Sequence, residues 1–210
     1  MKTAILAVYF GSRDTASMDR LEAAFALEFP GYPVFRAFLN RRFSEVPSVP
    51  EALQQLQVFD RVLVQAMLVS DGPSYRQLTK LCPAGAPLLA SPDACIAAME
   101  QWLPKPLVLM GHGAAGTDLR QFADRLPADV YFAALEGHPS LEELLPKLVG
   151  RSVHLAPFLL TEGVHTDRDL DIWQNRLEAA GCTVTLHRET LAHYPEISSI
   201  FAAHLRNTLF

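Results

Sequence analysis

The chain has 210 residues, half of them hydrophobic, and a net charge of −5. That is enough apolar material for one large domain or two small ones. The acidic balance speaks against a general affinity for nucleic acid or an anionic membrane, so a large anionic substrate would have to be met by local Arg and Lys.

Cys82, Cys95 and Cys182 are odd in number and have no C-x-x-C spacing. They suggest neither a disulfide framework nor a cysteine zinc site, and read as small buried hydrophobes in a reducing compartment. The apolar start at Met1–Leu6 is stopped by Gly11-Ser12-Arg13-Asp14, too soon for a secretion signal. No apolar window approaches the ~20 residues of a membrane span. A cytoplasmic protein is therefore expected, with no membrane partner.

In chain order, Ala4–Phe10 reads as a buried parallel strand ending at Gly11. Asp14 or Thr15 caps a helix whose apolar face is Met18, Leu21, Ala24, Phe25, Leu27 and Phe29. Pro33–Leu39 is a strand, Pro50–Leu56 a short helix, and Arg61–Val69 a strand running into Ser70-Asp71-Gly72. Tyr75–Leu81 is a helix and Pro87–Ala90 a short apolar piece, and Ser91-Pro92 opens a helix to Trp102.

The second half repeats this order. Leu107–Met110 is a strand, Thr117–Leu126 a helix, Val130–Leu135 a strand, and Pro139–Leu148 a helix with an irregularity at Pro146. Val153–Leu160 is a strand, and Thr166–Ala180 a helix ended by Gly181. Thr183–His187 is a strand and Pro195–Asn207 the last helix, which would cross back onto the first half. Strands alternating with helices at this spacing mean βαβ units and parallel sheets. The expected fold is α/β, with two similar three-layer lobes, about 1–90 and 91–210, and a cleft between them.

The halves also match residue by residue. Val62–Gly72 runs alongside Val153–Gly163, Phe35–Leu39 alongside Phe132–Glu136, and Tyr9-Phe10-Gly11 alongside Gly111-His112-Gly113. Where shared residues build the fold, differences point to function. At three strand ends the first lobe has Phe10, Leu39 and Ser74, where the second has His112, Glu136 and His165. Ligands bind beyond the carboxyl ends of strands in open α/β sheets. Two imidazoles and a carboxylate meeting there suit a divalent first-row metal and accept protons near neutral pH.

His138 follows Glu136 closely and is a possible secondary ligand. His154 lies inside a strand, and His187, His193 and His204 come late with no partner spacing. The run Gly111–Gly116 is glycine-rich after a strand, but it lacks the dinucleotide fingerprint. G-x-x-x-x-G-K-[ST] and G-x-S-x-G are both absent. A nucleotide-binding module is thus a weaker alternative.

On these residues the chain resembles the class II tetrapyrrole chelatases, and among them the anaerobic cobalt chelatases acting on sirohydrochlorin (the CbiK type). The matching pieces are Val8–Ser12, Phe35–Phe38, Met110–Gly113, Ala134–Glu136, and Pro157–Leu160 leading to Gly163-Val164-His165, with Asp169 four residues later.

The resemblance implies two α/β lobes around a tetrapyrrole cleft. It also implies a metal held by His112, Glu136 and His165, with one histidine as base for the pyrrole protons. The metal would be Co²⁺, with Fe²⁺, Ni²⁺ or Zn²⁺ as other candidates, and no organic cofactor is expected. Partners would be the tetrapyrrole and the metal, with a homo-oligomer of the chain as an option.

Phe10 and Leu39 would make an apolar wall against the ring. With Ser12, Arg13 and Ser74 they form the expected substrate-facing set. Arg36, Arg41, Arg42 and Arg168 are further candidates for the substrate carboxylates, Arg13 being the strongest. Short sirohydrochlorin chelatases carry a histidine where this chain has Phe10, which favours the cobalt-type arrangement with the site in the second lobe. Val164 stands where the family usually has a charged residue, and the chain is shorter than the typical member. Insertion of iron toward sirohaem, or a carrier role on the same scaffold, are the alternatives.

Overall fold

A computed structural model describes residues 1–40, 45–113, 117–163 and 165–209. The elements are β1 (Thr3–Tyr9), α1 (Thr15–Glu28), β2 (Val34–Phe38), α2 (Val49–Gln55), β3 (Arg61–Ala66), α3 (Pro73–Leu81) and α4 (Pro92–Trp102). They continue with β4 (Leu107–Gly111), α5 (Thr117–Arg125), β5 (Val130–Ala134), α6 (Leu141–Leu148), β6 (Ser152–Pro157), α7 (Leu170–Ala179), β7 (Thr183–Leu186) and α8 (Pro195–Arg206).

The strands form two sheets, ordered β2-β1-β3 and β5-β4-β6-β7, with every pairing parallel. In both sheets the chain steps from the central strand to one neighbour and then crosses to the other side. Each sheet therefore has a switch point, between β1 and β3 and between β4 and β6.

The alternation of side chains along a strand decides the layering. On β1, Ile5, Ala7 and Tyr9 face one core, and Leu6 and Val8 face another. The first is shared by both sheets. It joins Ile5 and Leu63 to Leu109 and Phe132 through Phe25, Met99, Phe122 and Phe201 of α1, α4, α5 and α8. The outer face of the first sheet packs on α2 and α3, with Val49, Ala52 and Leu78. The outer face of the second packs on α6 and α7, with Leu144, Leu148, Trp173 and Leu177. The α/β two-sheet architecture is as expected, but the inner helices are common to both lobes.

The terminal helix does cross back. Ser198 Oγ on α8 accepts from the Ala24 amide at 3.0 Å and donates to the Leu21 carbonyl at 2.8 Å. Arg206 pairs with Glu28. His204, 7% exposed, has Nε2 2.8 Å from Ser91 Oγ and Nδ1 3.1 Å from the Ala86 carbonyl. The Ser91 hydroxyl is thereby drawn to His204, and makes no capping bond to α4.

Several boundaries shift for physical reasons. The apolar runs after β3 and β6 continue past the strands because Met67, Leu68, Phe158 and Leu160 are buried in the loops that follow. Leu27, expected on the buried face of α1, is 83% exposed. The helix expected from Thr166 opens instead with a π-turn, His165–Asp169, before α7. Cys95 and Cys182 are buried, and Cys82 is only partly so.

Candidate metal centre

The site begins with backbone at the end of β4. Gly111 is buried against the Phe132 ring, and a Cβ there would sit 2.5 Å from it. Gly113 has φ +87°, and a Cβ would come 1.9 Å from the Glu136 carbonyl oxygen. Only glycine meets both demands at Gly113: left-handed backbone and direct contact with the neighbouring loop. His112 is held between them, exposed. Its carbonyl accepts from the Glu136 amide at 3.0 Å, and the Gly111 carbonyl accepts from Leu135 at 2.8 Å.

The same two bonds occur in the first lobe, where Leu39 donates to Tyr9 at 3.0 Å and Asn40 donates to Phe10 at 2.8 Å. They correct the sequence alignment of the lobes. The counterpart of Glu136 is Asn40, and Leu39 corresponds to Leu135. Leu39 packs with the outer core, beside α2 and α3, as Leu135 packs with that of α6 and α7. The His112–Phe10 equivalence stands, and so does that of His165 with Ser74. Met67 and Phe158 donate to Val8 and Met110 at 2.8 and 2.7 Å respectively, which fixes the same register in the two lobes.

His165 arrives from the other side of the switch point, after β6. The His112 and His165 ring centres are 4.9 Å apart, with planes at 85°. With about 2.0–2.1 Å from metal to nitrogen, two imidazoles on one tetrahedral ion have centres about 5 Å apart. His165 Nδ1 lies 2.6 Å from Asp169 Oδ2. A carboxylate can only accept there, so the ring carries its proton on Nδ1 and leaves Nε2 open. A carboxylate behind a ligating histidine is the usual way to fix its tautomer and orientation.

The structure brings together His112 and His165, with Asp169 behind the second. Glu136 is anchored to His112 through the backbone and its side chain is exposed. Among the described residues, no three His, Cys, Asp or Glu side chains already converge on one point. His138 is exposed and turned to Glu143. Asp169 was absent from the ligand set read from the sequence. Its i+4 spacing from His165 was the available signal.

Residues of both lobes meet at this mouth. A small cavity of about 90 Å³ is lined by Val69 and Ser70 on one side and Gly111, His112, Gly113, Phe158 and Leu159 on the other. Asp14 Oδ2 accepts from the Glu162 amide at 2.8 Å, tying the loop after β1 to the loop after β6. A larger cavity of about 750 Å³ is lined by the next residues along, including Asp71, Tyr75, Gln121 and Arg125.

Phe10 is 52% exposed at the end of β1. Ser12 Oγ accepts from the Asp14 amide at 3.0 Å, Arg13 is exposed, and Ser74 is half-buried. Arg36 is held by carboxylates of α1. Its Nε lies 2.7 Å from Glu22 Oε1, it also pairs with Asp19, and Tyr9 donates to the same Glu22 oxygen at 2.9 Å. Arg168 is exposed in the π-turn, and Arg41, Arg42 and Val164 lie outside the described residues.

The fold is shared with solved chelatase structures. SirB from Bacillus subtilis with Fe³⁺ is 18% identical, with a TM-score of 0.70, covering 99% of this chain and 96% of that one. The sirohydrochlorin chelatase SirB from Bacillus subtilis subspecies spizizenii in complex with cobalt is 16% identical, with a TM-score of 0.67 and coverage of 99% and 95%. DR2241 from Deinococcus radiodurans, a multi-domain protein, is 15% identical with a TM-score of 0.66, covering 97% of this chain and 54% of that one. No curated protein matches the sequence. The family model described as cobalt chelatase (CbiK) matches residues 92–210, which contain His112, Glu136 and His165. The chain is therefore a metal chelatase of the cobalt chelatase (CbiK) family.

Proposed function

We propose that the protein inserts Co²⁺ into sirohydrochlorin, with His112, Glu136 and His165 as the groups that hold the incoming metal. The observation carrying this reading is the pair of imidazoles, 4.9 Å apart, that meets across the β4/β6 switch point. Glu136, one backbone hydrogen bond from His112, supplies the carboxylate by turning an exposed side chain toward the ion. Three protein ligands with open positions capture a metal and still release it to the ring.

Insertion removes the inner N–H protons of the macrocycle. A neutral imidazole can accept one. One of the two histidines acts as that base. The exposed Phe10 lies against the ring face, and Ser12, Arg13 and Ser74 meet its rim. Arg13 offers the guanidinium suited to a carboxylate of the substrate.

Mixing the protein with sirohydrochlorin and Co²⁺ is expected to give the cobalt product spectrum well above the rate in buffer. His112→Ala and His165→Ala should each lower that gain by roughly 10²-fold or more. Equal rates in both variants and the parent would overturn the assignment. Competition between Co²⁺ and Fe²⁺ separates cobalt insertion from the sirohaem alternative, since both metals appear among the structures that share the fold.

A further inference from the structure

The second sheet carries another pair of histidines, away from the cleft. His154 lies on β6, opposite Leu107 at the start of β4, whereas His112 follows the end of that strand. His187 follows β7, and its amide donates to the Leu155 carbonyl at 2.8 Å. Both side chains emerge on the face of the sheet opposite Val153 and Leu155, which point into the outer core. His154 Nδ1 and His187 Nε2 are 3.0 Å apart, with ring centres at 5.2 Å and planes at 38°. Both residues are partly exposed, so an ion from solvent can reach them.

We infer that His154 and His187 form a second binding site for a borderline divalent cation, of the class that prefers imidazole nitrogen, such as Co²⁺, Ni²⁺ or Zn²⁺. The two nitrogens are close enough to share one ion once the rings turn slightly from their mutual hydrogen bond. Metal–nitrogen bonds of about 2.0–2.1 Å at angles between square and tetrahedral place two donor nitrogens about 2.9–3.4 Å apart. The observed spacing falls in that range. Imidazole donors suit these metals and not Mg²⁺ or Ca²⁺.

Without metal, one ring donates its N–H to the other. On binding, that ring moves its proton to its outer nitrogen, so no proton is lost overall and both inward nitrogens present lone pairs. Burial, and then the neighbouring His154, push the His187 pKa below its ordinary value, and Glu189 opposes this. Water completes the shell of an ion held by the two rings.

The site is tested with the full chain carrying His112→Ala and His165→Ala, so its outcome is independent of the proposed cleft ligands. Co²⁺ titration followed by calorimetry is expected to retain one stoichiometric site in this background. Adding His154→Ala or His187→Ala should weaken it at least ten-fold. In the unsubstituted protein, Co²⁺ should also shift and broaden the ring resonances of both His154 and His187. Binding that is indifferent to both added substitutions, or ring resonances that do not move at saturating Co²⁺, would overturn the inference and leave a simple imidazole–imidazole hydrogen bond.

Discussion

Asp169 Oδ2 receives a hydrogen bond of 2.6 Å from His165 Nδ1, four residues earlier in the π-turn that opens α7. The wide π-turn brings the carboxylate up behind the ring, at a place where both side chains leave the same side of the backbone. Asp169 is thus a positioning residue for His165. Asp169→Asn should keep the fold but weaken metal capture and slow chelation by about 10–100-fold, as for other partners of ligating histidines. Co²⁺ affinity and insertion rate, measured together, check this. A purely structural role would lower the thermal midpoint without moving the affinity.

Arg36 is tied into the fold by its ion pairs with α1. Glu22 receives two bonds from Arg36, 2.7 and 2.8 Å, and one from the Tyr9 hydroxyl, with its side chain only 11% exposed. Burial, followed by the adjacent Glu22 charge, drives the Tyr9 pKa well above its ordinary value, so the phenol stays a donor. Arg36→Met leaves Glu22 with an uncompensated charge and should cost about 2–3 kcal/mol in urea unfolding. The chelation rate per folded molecule should stay within two-fold of the parent.

Asp14 has two tasks. Its Oδ1 caps α1 through the Ser17 amide at 3.0 Å, and its Oδ2 holds the Glu162 amide across the mouth of the cleft. Burial raises its pKa, but the Ser17 and Glu162 bonds and the charge of Arg20 outweigh this and leave it below its ordinary value. The folded state therefore binds fewer protons than the unfolded one, and this stabilisation is present above the usual carboxylate range and lost as pH falls through the lowered pKa. Asp14→Ala should cost about 1–2 kcal/mol at pH 7, and the difference from the parent should vanish in strong acid. Urea titrations at several pH values measure it.

His204 is depressed in the same sense. Burial pushes its pKa down, only partly offset by the Ala86 carbonyl. The unfolded chain then takes up a proton near pH 6.5 that the folded chain takes up only at lower pH. Stability is full above about pH 6.5 and falls as the pH drops toward the folded-state value, and His187, lowered likewise, adds to the trend. The urea midpoint should decline from pH 7.5 to 5.5. In His204→Asn the decline should be shallower, from a starting point about 1–2 kcal/mol lower because the Ser91 and Ala86 partners lose their bonds.

The sequence by itself determined the βαβ order and the doubling of the chain, and it singled out His112, Glu136 and His165 as candidates. Strand runs, caps and turns are local chemistry, and repeated local chemistry shows as repeated pattern. Tertiary structure decided what depends on contacts between distant segments. Parallel pairing set the true counterpart of Glu136 as Asn40, since a one-residue register is invisible until carbonyls meet amides. Packing turned Arg36 inward to Glu22 and Leu39 to the outer core. It also set the late histidines in pairs, His187 against His154 and His204 against Ser91, because strand pairing and helix docking join residues whose spacing along the chain carries no period.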